Sequence, residues 1–501
     1  SKRVMNSVRA RAALPVSVAS GAALPLAFEP FGFWLLGPLC LAGLFLALQG
    51  AAPRRAFMIA LCFGLCSFLG GTYWTFISVT VFYGAPLALG VAATAGLVLA
   101  LALFFAIAIA LAARFIGLSG TLGIAVVMPA VWIIAEWCRG WMFSGFGWLS
   151  VGYSQSDTWL IGLAPVFGVH GVSAAAALSA AALLLLVQRR HPAARSIAIA
   201  TIVVVWFAAW LLESERWTAP RPGLVNIAIA QAAVPQDQKW LPEQYLPTLE
   251  RYRDLSLAAS GRDIIVWPEV AVPNRFSSAR PFLEDLQAEL ATRGSTLVTG
   301  ILRGHDDGNA RNAVVAMSSE PQFYIKRHLV PFGEYLPLPE LLLGWLDAFN
   351  VPYPNIGAGN QDQPLLRVAG ESIAVSICYE DVFGAEQLDF FPEATLIVNV
   401  ANDAWFGHSI AADQHLQIAR LRAAEVGRYV IRSTNTGVSA IIDPLGNVVR
   451  AGPKFQAVLL SETVQGFTGS TPYVVWGNYP VVITAFLALL GAAVLRARRR
   501  D

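Results

Sequence analysis

Three reactive side chains each close a short apolar run. Glu269 ends Asp263-Ile-Ile-Val-Trp-Pro-Glu269, Lys326 ends Phe323-Tyr-Ile-Lys326, and Cys378 ends Ser372-Ile-Ala-Val-Ser-Ile-Cys378. Together they supply a base, a cation and a nucleophile. A cysteine attacks as its thiolate, and an ordinary thiol with a pKa near ~8.5 holds little of that form at neutral pH, so a neighbouring carboxylate that takes the proton is useful. Attack on an acyl carbon then creates an oxyanion, which the Lys326 ammonium and the backbone N–H after Cys378 could stabilise. The chemistry indicated is covalent acyl transfer or hydrolysis. Of the five cysteines, Cys378 alone lies outside stretches that read as membrane spans. Cys40, Cys62, Cys66 and Cys138 lie in or at such stretches, so no disulfide framework is indicated. The histidines show no zinc spacing, although His328 is an alternative base for Cys378, and no glycine-rich phosphate loop precedes a lysine. No metal and no cofactor are expected.

These three residues need a frame. Residues 224–230, 263–267, 295–301, 313–317, 372–377, 396–400, 429–433 and 439–442 read as strands, whereas 243–259, 279–293 and 412–428 repeat apolar residues at helical spacing. Alternating strands and helices predict an α/β layered domain over 213–472, entered through the Pro- and Gly-containing segment Glu-Ser-Glu-Arg-Trp-Thr-Ala-Pro-Arg-Pro-Gly. In such sheets functional groups gather at the carboxyl ends of strands, where all three residues fall.

The rest of the chain belongs to a membrane. It is 56% hydrophobic and only 14% charged, with a mean hydropathy of +0.55. Runs approaching the roughly 20 residues of a transmembrane helix occur near 12–28, 31–49, 56–77, 86–112, 120–138, 160–187, 196–212 and 476–495. The expectation is a polytopic helical domain with about eight spans: seven in 1–212, and the last in 473–501 with a basic tail. Arg3, Arg9 and Arg11, then Arg54 and Arg55, Arg114, Arg189 and Arg190, and finally Arg496 to Arg500 place positive charge on alternate connections. That pattern puts both termini in the cytoplasm and 213–472 outside. The first span could also be a cleaved leader, which the charge alternation does not favour. A net charge of +2 without a basic, aromatic-laced patch gives no sign of nucleic acid.

The Glu, Lys and Cys in their contexts resemble the nitrilase, or carbon–nitrogen hydrolase, superfamily. The ordered motifs WPE, KRHLVPFGEYLP, CYED and NVANDAWFG, with the RGWMFSGFGW loop and the predicted spans, are similar to the apolipoprotein N-acyltransferase family of bacterial lipoprotein maturation. The resemblance covers essentially the whole chain. It implies an α-β-β-α sandwich for 213–472 on the outer, periplasmic side of the inner membrane. It also implies a ping-pong reaction in which an acyl chain leaves a phospholipid, phosphatidylethanolamine by resemblance, rests on Cys378 as a thioester, and passes to the N-terminal amine of a diacylglyceryl-cysteine apolipoprotein. Glu269 and Lys326 would complete the triad, Glu334 would orient Lys326 or assist proton transfer, and Tyr379 and Glu380 would shape the site beside the nucleophile.

Several other positions are candidate substrate contacts: Trp240, Trp148, and the Asn402, Trp405 and Phe406 stretch, which is otherwise a turn after a strand. Arg139 is a positive charge on the outer side, suited either to a lipid phosphate or to packing at a helix end. The alternative function is a membrane-tethered amidase that hands its acyl group to water.

Overall fold

The computed structural model describes residues 2–188, 191–305, 308–337, 344 and 355–498; Arg189, Arg190, Arg499 and Arg500 of the charge pattern lie outside the described residues. Contacts group the chain into two units, one made of residues 1–76, 91–215 and 475–501, the other of 77–90 and 216–474. The stretch 77–90, which hydropathy places among the membrane helices, therefore groups with the second unit.

The first unit is helical, with α1 (Lys2–Ala23), α2 (Leu36–Leu48), α3 (Pro53–Thr72), α4 (Leu87–Phe115), α5 (Gly120–Arg139), α6 (Trp159–Val187), α7 (Pro192–Glu213) and the C-terminal helix Tyr479–Ala497. Among the described residues six of these, α3 to α7 and the C-terminal helix, are long and apolar enough to cross a bilayer. The first two expected spans are shorter, with apolar helices over Ala12–Ala27 and Leu36–Leu48. A helix of 13 residues rises about 20 Å against a hydrocarbon core of about 30 Å, so the count of eight is not established. The run near 31–49 fails as one helix because Gly32 turns the chain with a φ of 66° before α2 starts. Close packing of α3 on α4 needs small residues: a Cβ on Gly64 would stand 2.7 Å from the Ala102 Cβ. By contrast α7 leaves Ile197, Val203, Val204, Phe207 and Leu211 exposed, a face suited to acyl chains rather than to water.

Among the described residues the second unit contains two six-stranded sheets, built from β1 (Val225–Gln231), β2 (Ile264–Val266), β3 (Thr296–Gly304), β4 (Ala310–Ala316), β5 (Gln322–Ile325), β6 (Leu366–Val368), β7 (Glu371–Ile377), β8 (Leu396–Ala401), β9 (Val430–Thr434), β10 (Ala440–Ile442), β11 (Val448–Ala451) and β12 (Val458–Val464), beside a short pairing of Ala219–Pro220 with Phe467–Thr468. The sheet orders are β12-β1-β2-β3-β4-β5 and β11-β10-β9-β8-β7-β6. In each, three parallel strands form the middle (β1, β2 and β3; β7, β8 and β9), with antiparallel partners outside them. Alternation along β1 decides the layers. Val225, Ile227 and Ile229 enter a core shared with Val375, Ile377 and Val398 of the other sheet. Ala228 and Ala230 face Leu249 and Tyr252 of α8 (Pro242–Ala258) and Leu283 and Leu286 of α9 (Phe276–Ala291). Strands buried on both faces read as continuous apolar runs, which is why they are visible in sequence. Ala419 and Ala423 of α10 (Ala411–Val426) pack on the second sheet, giving helix, sheet, sheet and helix in layers.

Candidate active site

The site gathers where strands end. Lys326 follows β5, with its N–H donating to the Asn312 carbonyl of β4 at 2.9 Å. Its buried ammonium lies 2.9 Å and 2.8 Å from the two Glu334 oxygens and 3.7 Å from Glu269 Oε1. Burial works against that charge, but the carboxylates of Glu334 and then Glu269 outweigh it and hold the ammonium above its ordinary pKa. Asn312 Nδ2 links the two acids, donating to Glu269 Oε1 at 2.7 Å and Glu334 Oε1 at 3.2 Å. Glu334 also accepts from the Val330 N–H at 2.8 Å. Lys326 is thus paired tightly with one carboxylate, leaving the other looser beside it.

The loop carrying Glu269 is shaped from below. Trp267 N–H donates to Val298 O and Ala271 N–H to Gly300 O, which draws the Pro268-Glu269-Val270 bend against β3. A Cβ at position 300 would stand 2.5 Å from Pro268 O and 2.6 Å from Glu269 Cα, so glycine there lets the bend approach. Lys239, itself buried, donates from Nζ to the Glu269 carbonyl at 3.2 Å. Burial, opposed by Glu269, lowers the Lys239 pKa to about 8.

Cys378 turns sharply out of β7 with a φ of 51°, a left-handed conformation that costs a non-glycine residue about 1–3 kcal/mol and is found where a reactive group must be aimed. Val270, next to Glu269, and Phe332, two residues before Glu334, share this backbone region at 44° and 63°. Burial and then the Glu269 carboxylate push the thiol well above its ordinary pKa, with Lys326 opposing. This setting favours the thiol over the thiolate at Cys378. Glu380 fixes the turn. Its carboxylate accepts from the N–H groups of Ile377 at 2.7 Å, Arg327 at 2.7 Å and His328 at 3.1 Å, and from Tyr324 Oη at 3.0 Å. The strand end bearing the thiol is thereby tied to the one bearing Lys326. Burial raises the Glu380 pKa against Lys326 and these donors. Tyr379 is buried edge-on to Phe383, with ring centroids 4.9 Å apart. His328, the alternative base, instead pairs through Nδ1 with Glu386 at 3.0 Å and stacks on Phe383.

The other candidates divide. Asn402 is buried and donates to Gln236 Oε1 at 2.8 Å, while Asn435 donates to Asn402 Oδ1 at 3.3 Å and to Val234 O at 2.8 Å. These bonds tie the Asn402 turn to the loop that leads to Lys239 and the half-exposed Trp240. Trp405 is partly open and stacks on Tyr83, with centroids 5.1 Å apart and planes 17° from parallel; Phe406 follows it, also partly exposed. Tyr83 Oη donates to Gly333 O at 2.9 Å, and Ser78 Oγ donates to Trp405 O at 2.8 Å. The 77–90 stretch so spans the loops bearing Trp405 and Glu334. Arg139 and Trp148 belong to the first unit. Arg139 is buried and donates to the carbonyls of Phe146 and Trp148 and to Ser150 Oγ, which is the helix-end packing role rather than an open phosphate site. Trp148 is also buried, 5.1 Å from the Trp74 ring.

Two groups escaped the reading of sequence. Asn312 is one, although a polar residue in an otherwise apolar strand is a signal. His415 is the other. It reads as helix surface, yet it is 1% exposed, between Asp381 and Asp403.

The two-sheet unit is a carbon–nitrogen hydrolase domain. Residues 226–473 match the carbon-nitrogen hydrolase family, and residues 20–182 match the apolipoprotein N-acyltransferase N-terminal domain. Proteins named apolipoprotein N-acyltransferase from Methylococcus capsulatus and Azotobacter vinelandii are each 41% identical, over 97% of this chain and 97% of the first, and over 96% of this chain and 95% of the second. One from Pseudomonas putida is 37% identical over 96% of both chains. A solved carbon-nitrogen hydrolase from Helicobacter pylori G27 superposes with a TM-score of 0.36 at 13% identity, over 48% of this chain and 88% of that one, too loosely to add to the sequence matches. The chain belongs to the apolipoprotein N-acyltransferase family.

Proposed function

We propose that this protein moves an acyl chain from a membrane phospholipid, phosphatidylethanolamine by resemblance, through a Cys378 thioester to the N-terminal amine of a diacylglyceryl-cysteine apolipoprotein. The observation that supports this most is the Lys326 ammonium, buried between Glu269 and Glu334 and within electrostatic reach of Cys378. In the first half-reaction Glu269 takes the thiol proton as sulfur bonds to the ester carbonyl carbon. Lys326 and the Tyr379 N–H meet the oxyanion. The carbon–oxygen bond to the glycerol breaks, and Glu269 returns the proton to that departing oxygen. In the second, the amine nitrogen attacks the thioester, Glu269 takes one of its protons, and the proton passes to sulfur as the carbon–sulfur bond breaks. Glu334 holds Lys326 in place throughout.

Both substrates are held in a bilayer by acyl chains, each buried methylene contributing about 0.8 kcal/mol, so the site must work at the membrane surface. We place residues 213–472 as the periplasmic catalytic domain, 1–212 and 473–501 in the inner membrane, and both termini in the cytoplasm. Trp240, Trp405 and Phe406 are proposed to meet substrate. The test is mass spectrometry of the protein incubated with a labelled phospholipid in detergent. A hydroxylamine-sensitive acyl adduct on Cys378 supports the reading. An unmodified Cys378 in protein that releases free acid from small amides overturns it in favour of the tethered amidase.

A further inference from the structure

Beneath the nucleophile lies a buried polar cluster with no part in the scheme above. His415 of α10 places Nδ1 2.7 Å from Asp403 Oδ1 and Nε2 2.9 Å from Asp381 Oδ1, with the Cys378 carbonyl 3.3 Å from the same Nε2. Ionised carboxylates only accept, so between two ionised acids the ring carries a proton on each nitrogen. Arg432 of β9 closes the cluster, donating to Asp381 Oδ2 at 3.2 Å and Asp403 Oδ2 at 2.9 Å, and also to Asn399 Oδ1. The two acids thus meet two basic side chains. Asp381 lies in the turn after β7 that begins with Cys378, and Asp403 in the turn after β8 that leads to Trp405. The backbone makes room for this arrangement: a Cβ on Gly437 would stand 2.3 Å from Asp403 Oδ2.

We infer that His415 is a positioning residue, charged at neutral pH, which holds the carbonyl of the nucleophile's own strained residue and joins the Cys378 turn to the Trp405 turn. The inference rests on Cys378 being the acylated residue. Asp381, Asp403 and Arg432 are the charged groups that face the ring, from the turns after β7 and β8 and from β9. Burial and Arg432 lower its pKa, but Asp381 and Asp403 prevail and raise it to about 9. Deprotonation at Nε2 removes the donor shared by Asp381 and the Cys378 carbonyl and so frees the carbonyl that anchors the turn.

The experiment follows adduct formation on Cys378 against pH, using the full chain in detergent with a labelled phospholipid. The wild-type rate is expected to fall as pH passes through about 9. In Asp381→Asn, which removes one counter-charge, that fall moves to lower pH, and His415→Gln forms the adduct about 10- to 100-fold more slowly at unchanged half-saturating lipid. A residue with a merely structural role would change the yield and leave the pH of the fall where it was. A wild-type rate that keeps rising through the alkaline range, or an Asp381→Asn profile superimposable on it, overturns the inference even if His415→Gln does not fold. A wild type that forms no adduct at any pH overturns the acyl-enzyme itself, and this inference with it.

Discussion

Replacing Glu334 by Gln tests how the site divides labour between its two acids. The side chain keeps its shape but loses its charge, so of its contacts at 2.8 and 2.9 Å the Lys326 ammonium keeps only a neutral hydrogen bond and turns towards Glu269, 3.7 Å away in the wild type. Removing a sole partner from a buried ion pair costs about 3–5 kcal/mol. With Glu269 in reserve, and a neutral hydrogen bond from Lys326 to the Gln carbonyl retained, a loss of about 2–3 kcal/mol follows. Part of it falls on the base, because a Glu269 drawn into contact with Lys326 accepts the thiol proton less readily. At about 1.36 kcal/mol per tenfold, thioester formation should slow roughly 30- to 150-fold. The assay is single-turnover labelling of Cys378 from a tagged phospholipid, with Glu334→Asp as the charge-retaining comparison. A Glu334→Gln rate within about threefold of wild type would refute the reasoning, because Glu269 would then suffice both as base and as the partner of Lys326.

Cys378→Ser should form no hydroxylamine-sensitive adduct and transfer no acyl chain, since a buried hydroxyl is a far weaker nucleophile than a thiolate; lipoprotein acylation by this variant in a complementation assay would contradict the assignment. Gly300→Ala should force the Pro268–Val270 bend away from β3, because the added methyl meets backbone 2.5 Å away; a destabilisation of about 1–3 kcal/mol with slower acylation is expected from thermal unfolding and labelling together. Lys239 has a folded-state pKa lowered to about 8, so between pH 8 and its unfolded value near ~10.4 the unfolded chain holds a proton that the folded chain has released. This group therefore adds stability as pH rises through that window, and the difference in melting temperature between wild type and Lys239→Met should shift towards wild type across it.

Much of this site is legible in the chain itself, for a physical reason. The middle strands are covered on both faces, so a polar residue that ends such a run, as Glu269 and Cys378 do, marks a place where the sheet stops and chemistry can begin; Lys326 does the same at the end of the edge strand β5. What hides is whatever depends on partners distant in sequence. His415 sits among Asp413, Gln414 and Gln417, a polar stretch that reads as solvated helix, and only the approach of Asp381, Asp403 and Arg432 explains its burial. Asn312 is hidden in the same way, its amide gaining meaning from Glu269 and Glu334. The edge strand β12 escapes because Glu462 and Thr463 interrupt its apolar pattern and only Leu460 and Val464 of it are buried. The count of eight spans is not established, because the first two apolar helices are short and, before α2, composition supplies the length but Gly32 turns the chain.

The membership of 77–90 in the second unit bears on how the enzyme could be dissected. Its catalytic half is not a segment that can be cut out at one linker. A fragment beginning at residue 216 would leave behind the Tyr83 ring that covers Trp405, the hydroxyl bonded to the Gly333 carbonyl, and the Ser78 contact to the Trp405 carbonyl. Such a fragment could keep both sheets and the Glu, Lys and Cys, yet two loops beside them would lose their brace. Solubilising the hydrolase half alone therefore requires grafting that stretch back, or accepting loose loops beside intact Glu269, Lys326 and Cys378.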